Sequence, residues 1–464
     1  MSRGPIQRIQ DCVHGLMEFR GMEALVLDVL RTKELQRLRR VRQLGLAHLV
    51  FPGAEHSRLV HVLGASYLAI RFARRLQDAS RGFLIDELTP NDSALRDMAI
   101  AALCHDLGHG PLSHVWEREI IGKHFERRKW CVALGLDEHF DDQEELKWHE
   151  LVTQALLAWQ DGQLFKLLET YETGFAERVR QLLLGNYYLP YLPRLLASDI
   201  DVDRADFLKR DTHQTGVAYG AYDLEWLVST CTVGKTSHGE LVVGFDDRKA
   251  PRVVEQFLIA RRALYDTVYH HKTVRGAEGM VAQFLRKLRE VIQKDGRGIP
   301  ANVGFVEPLL RTVAGEAISP EELLSIDDFA LWVLIDYMSN REDIDITVRD
   351  LGQRILGRDL FKLVPDVHRR ANEFLRREGA YERLYKAIQP FCPGEAKFYL
   401  IVDAPDFAML SEKPKHWCYF VDKDRRAVPA KDHDAFRHHS SHPEELVRLY
   451  TLSEAVEEVA KVLA

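Results

Sequence analysis

The stretch AIAALCHDLGHGPLSH, residues 99–114, decides how this sequence is interpreted. It joins an apolar helical run to the adjacent pair His105 and Asp106, and then to a turn that contains Gly108 and Gly110. Neighbouring side chains inside a helix point about 100° apart, so two adjacent ligands reach one point only where a helix frays. We therefore expect a helix that ends at this pair and delivers both side chains to a metal site.

The residues on either side of the pair support the same interpretation. Asn91, Asp92 and Ser93 offer N-caps for the helix, and His109 and His114 lie in the turn that follows. A single buried histidine is more often a hydrogen-bonded core residue than a ligand. Several histidines beside an aspartate and two glycines are more typical of a functional site, so we assign this turn to the site.

Composition limits the class of protein. The chain has 464 residues, of which 46% are hydrophobic and 29% are charged, and its formal net charge is −7. This balance is typical of a soluble globular protein and argues against wholesale wrapping by nucleic acid, although a local basic pocket could still bind a small anion. The sequence has no uninterrupted apolar stretch of about 18 residues, so it predicts no membrane span.

Cysteine usage indicates the compartment. The six cysteines are scattered along the chain without any CxxC spacing. This pattern excludes a thiolate zinc knuckle and is typical of a reducing environment, so we expect a cytoplasmic protein.

Helical periodicity with short connections marked by Gly and Pro dominates the first half of the chain. A first helical run includes Leu27, Leu30, Leu35 and Leu38 and ends near Gly45. A second helix begins after Ser57. A further helix is expected from about residue 195 to near Gly216.

The second half is also predicted to be mainly helical, with a change of character in the tail. A long helical region over residues 250–293 is expected to be interrupted near Gly276 and Gly279. A β-hairpin is expected around His238 and Gly239. The segments KFYLIVD (397–403) and HWCYFVD (416–422) are expected to be strands of one small sheet, and a last helix is expected over residues 443–463.

These elements predict a mainly α fold with a helical core, an additional helical lobe and a small β appendage. We expect a catalytic core over residues 1–230 and a mainly helical lobe over residues 231–395 that completes the pocket and makes oligomer contacts. Residues 396–464 are expected to form a small α+β region.

A metal site with mixed ligands can be assembled from distant segments. A divalent ion held by nitrogen and oxygen needs about two imidazoles and two carboxylates. His105 and Asp106 provide one of each, and His61, on the inward face of the preceding helix, could supply the second imidazole.

The second carboxylate is expected from IDVDRADFLKRD, residues 200–211. In this segment Asp203, Phe207 and Asp211 share one helical face because they are spaced four residues apart. The other acidic residues in and beside the segment are predicted to lie on a solvated surface; they are Asp199, Asp201 and Asp206.

Successive motifs resemble those of the HD-domain dNTP triphosphohydrolase family. They are HSRLVHVLGASYLA from His56, CHDLGHGPLSH from Cys104, WHE at Trp148–Glu150 and DVDRADFLKRD at Asp201–Asp211. Shorter matches are DCVHG from Asp11, QRLRRVRQLG from Gln36, FPGAEHSR from Phe51 and YHHK from Tyr269. The resemblance covers at least residues 11–275, and more loosely the tail around HWCYFVD. It is strongest to the eukaryotic members that carry a SAM domain and to their bacterial homologues, and we expect no SAM domain here.

The resemblance implies a role for specific residues. The implied metal ligands are His61, His105, Asp106 and Asp203. The implied catalytic residues are His114 and His149 near the scissile phosphate, Glu117 as the acidic partner of His114, and His109 as a supporting residue. The implied contacts to phosphate and sugar are Arg58, Arg204, Arg261, Tyr269, Gln43, Leu44, Phe207 and Asp211. Without the resemblance, Arg58 and Arg204 could equally be ordinary surface arginines.

By the same resemblance, the expected activity is metal-dependent cleavage of a dNTP to a deoxynucleoside and inorganic triphosphate. The expected cofactor is a divalent transition metal (Mn, Fe, Zn, Co or Ni), with Mg at the triphosphate. We also expect a homodimer or a homotetramer. It is expected to bind dNTPs and not to bind a membrane.

Two other functions stay open. The first is an HD-type phosphohydrolase or phosphodiesterase that acts on another nucleotide or on a nucleic-acid end, because a fold alone does not choose a substrate. The second is a nucleotide-sensing or single-strand-binding protein, which the balance of 63 basic and 70 acidic residues does not support.

The sequence departs from the family at two positions. A eukaryotic member of the family is activated by nucleotides at a second site between subunits, where an acidic residue reads guanine; by the resemblance, the matching position here is Arg31. Gln36, Arg39 and Lys272 match other residues of that site, so we expect nucleotide-assisted assembly without guanine specificity. At Phe207 the family has a tyrosine, so one polar contact to the substrate is lost.

Overall fold

The computed structural model describes residues 6–113, 115–117, 126–137, 140, 146–294, 304–365, 368–405, 410–411, 413–433 and 447–464. Helices account for 59% of the structure and strands for 9%, which confirms the predicted mainly α class. Within the described ranges, no helix combines the length and the apolar character that are needed to span a bilayer.

The helices of the first half follow one another with short connections. They are α1 Leu25–Leu30, α2 Lys33–Arg37, α3 Arg58–Ser80, α4 Asp92–Cys104, α5 Arg127–Ala133, α6 Trp148–Ala158, α7 Gln163–Tyr171, α8 Phe175–Leu183, α9 Val202–Thr215 and α10 Leu224–Thr230. The helices of the second half are α11 Pro251–Leu264, α12 Lys272–Lys294, α13 Glu307–Ala314, α14 Pro320–Leu323, α15 Asp328–Ser339, α16 Ile346–Leu356, α17 His368–Leu375, α18 Ala380–Ile388 and α19 Val456–Leu463.

The described strands form three small sheets. Their bounds are β1 Gln7–Asp11, β2 Gly15–Phe19, β3 Cys231–Lys235, β4 Leu241–Asp246, β5 Lys362–Leu363, β6 Ile401–Asp403, β7 Tyr419–Val421, β8 Ala427–Pro429 and β9 Arg448–Thr451. Strands β1 and β2 make an N-terminal hairpin, and the other sheets have the strand orders β3-β4-β7-β8 and β5-β9-β6. The hairpin of β3 and β4 was predicted from the sequence and is confirmed, whereas the N-terminal hairpin was not predicted.

The two tail strands do not share a sheet, so that prediction is wrong. Strand β6, the end of KFYLIVD, pairs with β9, and Ile401 lies opposite Tyr450. Strand β7, within HWCYFVD, pairs in parallel with β4, and Phe245 lies opposite Phe420. Both pairings join segments that are far apart in the chain, which local alternation of apolar and polar residues does not reveal.

The predicted interruption of the long helix near Gly276 and Gly279 is also wrong. Helix α12 continues through both glycines. The glycines let other chain segments approach the helix closely: a Cβ at Gly279 would lie 2.7 Å from the Ile401 side chain. The break lies earlier, in a wide π turn at Tyr265–Tyr269.

Two other helices differ from their predicted bounds. The first helical run is divided because Thr32 has an extended backbone between α1 and α2. The final helix begins only at Val456, since Arg448–Thr451 is a strand, and residues 443–446 of the predicted helix lie outside the described residues.

The domain boundary expected at residue 395 separates two segments whose strands are hydrogen-bonded to each other. Strand β4 belongs to the predicted helical lobe and β7 to the predicted tail, yet the two strands pair directly. The limits of the three domains stay a prediction.

Helix α3 is the central element of the first half of the chain. It begins after Ser57, as predicted, and packs against both α4 and α9. The Ser66 hydroxyl donates to the Ala99 carbonyl oxygen at 2.8 Å, which fixes α3 to α4. Gly64 lets α9 approach, because a Cβ at this position would overlap the Asp206 carboxylate and the Arg210 guanidinium.

We expect Gly64→Ala to lower the free energy of unfolding by about 1–3 kcal/mol, because the added methyl group forces α3 and α9 apart. Gly276→Ala is the matched control, since its Cβ would lie 3.2 Å from the ring edge of Tyr450 and 3.4 Å from the Phe361 carbonyl oxygen, without overlap. Urea denaturation of both variants measures the difference. Equal stability of Gly64→Ala and the unchanged protein would contradict this packing.

Candidate metal centre

The end of helix α4 presents the His–Asp pair as the sequence predicts. The Asn91 side chain caps the first turn by accepting from the Ala94 backbone N–H at 2.9 Å, and the helix ends at Cys104. His105 is the C-cap residue, and its Nδ1 donates to the Ala102 carbonyl oxygen at 2.7 Å. This bond fixes the tautomer and leaves Nε2 of His105 free of a proton for a ligand.

His61 is held in the same way from the other side. It lies on α3 with no exposed surface, and its Nδ1 donates to Asp206 Oδ2 at 2.8 Å. Its Nε2 therefore points toward the end of α4, where the rings of His61 and His105 meet edge to face with centroids 5.4 Å apart.

The four predicted ligands lie together. Asp203 Oδ1 is 3.0 Å from His61 Nε2 and 3.6 Å from His105 Nε2. Asp106 approaches the same nitrogens, at 3.3 Å from His105 Nε2 and 3.7 Å from His61 Nε2. His61, His105 and Asp203 form a group whose ligand atoms lie within 4.8 Å of one another.

The donor set fits a divalent transition metal. The Nε2 atoms of His61 and His105 are buried, and among the described residues they have no hydrogen-bond partner besides the carboxylates of Asp106 and Asp203. Buried polar atoms of this kind are rare unless a ligand or an ion satisfies them. Two imidazole nitrogens facing two carboxylates suit Zn, Fe, Mn and similar ions, so these four residues are a candidate site for such an ion.

The charges of the site depend on one another. Burial lowers the pKa of His61, but the hydrogen bonds and charges of Asp203 and Asp206 outweigh burial and raise this pKa to about 10. Burial also opposes the charges of Asp106 and Asp203, which together raise the pKa of His105. Without a metal, His61 therefore carries a proton at neutral pH, and a bound cation would replace that charge.

Arg58 stands beside this centre. It is buried, which excludes the alternative of a surface arginine, and it forms an ion pair with Asp106. Its Nε and Nη2 also donate to the Ser113 hydroxyl at 3.1 and 2.8 Å. This guanidinium thus lies where a phosphate bound at the centre would need a cation.

The turn after the pair has a strained backbone. Leu112 and Ser113 both have φ near 52°, a left-handed conformation that residues with a Cβ seldom adopt. Asp328, at the start of α15, accepts from the Leu112 backbone N–H at 3.0 Å and from the Arg42 backbone N–H at 2.9 Å. These bonds hold the turn in place.

Arg37 supports the same turn from α2. Its buried guanidinium donates to the carbonyl oxygens of Leu107 at 3.1 Å, His109 at 2.8 Å and Ile326 at 2.9 Å. Sequence reasoning did not identify Arg37 or Asp328, because their contacts join segments more than 60 residues apart.

A second group of ligand-type side chains adjoins the centre. It consists of His109, Glu117 and His149, whose ligand atoms also lie within 4.8 Å of one another. The rings of His109 and His149 are stacked, with centroids 4.0 Å apart and planes 14° from parallel. His109 Nε2 lies 3.3 Å from Asp106 Oδ1, so the group is continuous with the metal centre.

Glu117 is paired with His149. It accepts from the His149 backbone N–H at 3.0 Å and from the ring Nδ1. Its expected partner, His114, lies outside the described residues. Burial, followed by the charges of Arg58 and His149, holds the pKa of His109 well below its usual value.

Phe207 lies between His61 of the metal centre and Tyr269, one of the other residues expected at the sugar. The Tyr269 hydroxyl donates to Asp211 Oδ2 at 2.7 Å, and His56 Nε2 donates to Asp211 Oδ1 at 2.9 Å. Phe207 meets the rings of His61 and Tyr269 at centroid distances of 6.4 and 6.2 Å. Gln43 joins this region through its backbone N–H, which donates to the His56 carbonyl oxygen at 3.0 Å.

Two further predicted residues, Arg204 and Arg261, lie near each other. Arg204 donates to the Ser198 carbonyl oxygen at 2.7 Å and forms an ion pair with Asp201. Burial, and then the charge of Arg204, lowers the pKa of Arg261, whose guanidinium lies 5.8 Å from the Tyr265 ring centroid. Arg204 is partly exposed and Arg261 is buried, and two guanidiniums in proximity suit an anion. Leu44 is half-buried against the core.

The predicted solvated aspartates are not on the surface, so that prediction is wrong. Asp201 caps α9 by accepting from the Arg204 backbone N–H at 2.8 Å, and Asp199 accepts from the Ser411 backbone N–H at 2.8 Å. Asp206 has no exposed surface and holds His61. All three are buried because each has specific donors.

Three of the residues discussed for a second nucleotide site, Arg31, Gln36 and Arg39, make contacts within residues 28–39. Gln36 donates to the Leu30 carbonyl oxygen at 2.6 Å, and Arg39 donates to Gln36 Oε1 at 2.7 Å. Arg31 forms an exposed ion pair with Asp28 at 2.9 Å. Lys272 lines a separate open cleft of about 530 Å³. A nucleotide site between subunits stays a prediction.

We expect Mn²⁺ binding to the metal-free protein at pH 7 to release about one proton or more per ion, because imidazole ligands must be neutral and His61 has a pKa of about 10 without metal. Calorimetric titration in two buffers of different ionisation enthalpy measures this release. Binding without proton release would contradict the charge state described above. Asp203→Ala should abolish the binding, whereas Asp161→Ala, which removes a carboxylate that is 89% exposed, should not.

Comparison with known proteins gives related chains. No protein-family model matches the chain. It is 29% identical over 357 residues to YwfO of Bacillus subtilis, described as uncharacterized. This alignment covers 76% of this chain and 71% of YwfO. It is 26% identical over 387 residues to human deoxynucleoside triphosphate triphosphohydrolase SAMHD1. This alignment covers 82% of this chain and 58% of the human protein. The chain spans about half the length of several triphosphohydrolases that it matches.

A solved structure shows the same fold. The phosphohydrolase from Bacteroides thetaiotaomicron superposes with a TM-score of 0.72 at 23% identity, covering 97% of this chain and all of that one. The resemblance predicted from the motifs is confirmed: over most of its length, this chain is similar to deoxynucleoside triphosphate triphosphohydrolases of the SAMHD1 type.

Proposed function

We propose that this protein is a metal-dependent hydrolase that cleaves dNTPs to a deoxynucleoside and inorganic triphosphate. The observation that carries the proposal is the pair of buried Nε2 atoms of His61 and His105, which face the carboxylates of Asp106 and Asp203. The related triphosphohydrolases and the phosphohydrolase fold support a hydrolase, and the dNTP as substrate is the further step.

The arginines around the centre suit a triphosphate. Guanidinium groups bind phosphate oxygens in a bidentate manner, and Arg58, Arg204 and Arg261 lie in the same region of the fold. Arg58 and Arg204 are each paired with a carboxylate, Asp106 and Asp201. We infer that phosphate oxygens compete with these carboxylates when the substrate binds, so the arginines keep their charge compensated in both states.

The chemistry needs an activated water and a proton for the leaving group. A divalent ion held by His61, His105, Asp106 and Asp203 would supply charge stabilisation at the attacked phosphate and lower the pKa of a water. His149 is oriented by Glu117, which accepts from both its ring and its backbone. In the proposal, His149 donates to a phosphate oxygen, and His114 protonates the leaving 5′-oxygen.

The sugar would lie against Phe207, with Gln43 and Leu44 beside it. The Asp211 carboxylate is already oriented by Tyr269 and His56, so it is a fixed acceptor for a sugar hydroxyl. Phe207 offers an apolar ring where the family has a hydroxyl, so we expect looser discrimination at the sugar than a tyrosine would give.

Other parts of the proposal concern the setting of the enzyme. We place it in the cytoplasm as a homodimer or homotetramer, with Mn, Fe, Zn, Co or Ni at the centre and Mg at the triphosphate. Nucleotide-assisted assembly through Gln36, Arg39 and Lys272 belongs to the same proposal.

Product analysis tests the activity. The Mn²⁺-loaded protein is incubated with each dNTP and each NTP, and the nucleoside and inorganic phosphates are separated by chromatography. We expect deoxynucleoside and triphosphate in equal amounts from at least one dNTP, and none from Asp203→Ala. Cleavage of a different phosphodiester without any release of triphosphate would contradict the proposal and favour another HD-type reaction.

A second experiment separates proton transfer from metal binding. His149→Asn and Glu117→Gln should each lower kcat, by about 10²–10⁴-fold for His149→Asn, because a positioned acid contributes about that factor. The metal content of both variants, measured by atomic emission, should be unchanged. Loss of the metal in Glu117→Gln would instead assign this group to metal binding.

A further inference from the structure

A buried ionic network connects the N-terminal hairpin with the metal centre. Its central group is Asp206, which lies on α9 one turn after Asp203. The side chains of His14, His61 and Asp206 are 1% exposed or less. His14 comes from the turn between β1 and β2, which sequence reasoning did not connect with the site.

The Asp206 carboxylate accepts four hydrogen bonds. His14 Nε2 donates to Oδ1 at 2.7 Å, and His61 Nδ1 donates to Oδ2 at 2.8 Å. Arg210, one turn later on α9, donates from Nε to Oδ2 and from Nη2 to Oδ1, each at 2.9 Å. A carboxylate offers about four lone-pair positions, so Asp206 is saturated and its orientation is fixed.

The network continues to the hairpin backbone. Arg210 Nη1 donates to Asp11 Oδ2 at 2.9 Å, and Asp11 Oδ1 accepts the backbone N–H groups of Val13 and His14, each at 2.9 Å. The hairpin turn is thus anchored to the same guanidinium that holds Asp206. Gly64 leaves the space in α3 that this arrangement needs.

We propose that Asp206 and His14 are positioning residues of the metal centre, and that the N-terminal hairpin is therefore coupled to metal binding. Asp206 holds a proton of His61 on Nδ1, so that Nε2 is the nitrogen that gives up its proton and offers a lone pair to a metal. His14 holds the other carboxylate oxygen and prevents Asp206 from turning away. This inference rests on the candidate metal centre of the proposed function but does not depend on the dNTP as substrate.

Coupling acts in both directions. If docking of the hairpin favours the metal-binding orientation of His61, metal binding must favour docking of the hairpin by the same free energy. Bound metal should therefore slow amide hydrogen exchange in β1 and β2, which are distant in sequence from the ligands His61, His105, Asp106 and Asp203.

The chain offers a closely matched control. Asp97 is also a buried carboxylate that accepts four hydrogen bonds, two from Arg96 and one each from Arg178 and Tyr187. It contacts none of the four metal ligands through these bonds. Asp97→Asn therefore reproduces the loss of a buried charge without the loss of the His61 partner.

The first measurement is the Mn²⁺ dissociation constant from competition with a chelator. We expect Asp206→Asn and His14→Leu to weaken binding by about 10- to 100-fold, the usual effect of losing a group that orients a ligand. His14→Gln keeps a donor and should restore most of the affinity, and Asp97→Asn should bind as the unchanged protein does. Circular dichroism checks that each variant is folded.

The second measurement uses the unchanged protein, so it does not depend on whether a variant folds. Hydrogen exchange followed by mass spectrometry, with and without Mn²⁺, should show slower exchange in residues 7–19. Affinities within twofold of the unchanged protein for Asp206→Asn and His14→Leu, or equal exchange in the hairpin with and without Mn²⁺, would overturn the inference. Failure of the unchanged protein to bind Mn²⁺ would instead overturn the metal centre itself.

Discussion

The candidate metal centre depends on one electrostatic constraint. The carboxylates of Asp106, in the turn after α4, and Asp203, on α9, both lie within 3.6 Å of the same atom, His105 Nε2. Negative charges gathered in this way destabilise a fold unless positive charge lies among them. The His61 imidazolium and the Arg58 guanidinium provide that charge in the metal-free protein, and a divalent ion would provide it more compactly. The close packing of α3, α4 and α9 follows from the need to bring these groups together.

Strain in the backbone accompanies this arrangement. The two consecutive left-handed residues, Leu112 and Ser113, bring the Ser113 hydroxyl to Arg58, and such a turn persists only when its surroundings determine it. Arg37 and Asp328 supply that support from outside the motif, by binding its carbonyl and N–H groups. The segment that carries the chemistry is thus held by helices from both halves of the chain.

Local sequence signals predicted the parts of the site whose geometry is local. The cap at Asn91, the helix end at His105 and the helical face with His61 all follow from spacing along one segment. The same reasoning failed for Asp206, because a row of aspartates has the same pattern whether water or buried donors surround it. It also missed His14, since five-residue strands and a short turn carry little periodicity. Long-range ion pairs become visible only when the segments are in contact.

The central claim is that four side chains from three segments bind one divalent ion. A crystal structure of the Mn²⁺-soaked protein, with data collected on both sides of the manganese absorption edge, tests it most directly. The account predicts one anomalous peak about 2.0–2.3 Å from His61 Nε2, His105 Nε2 and an oxygen of each of Asp106 and Asp203. An anomalous peak bound elsewhere, or no peak at these four side chains, would contradict it.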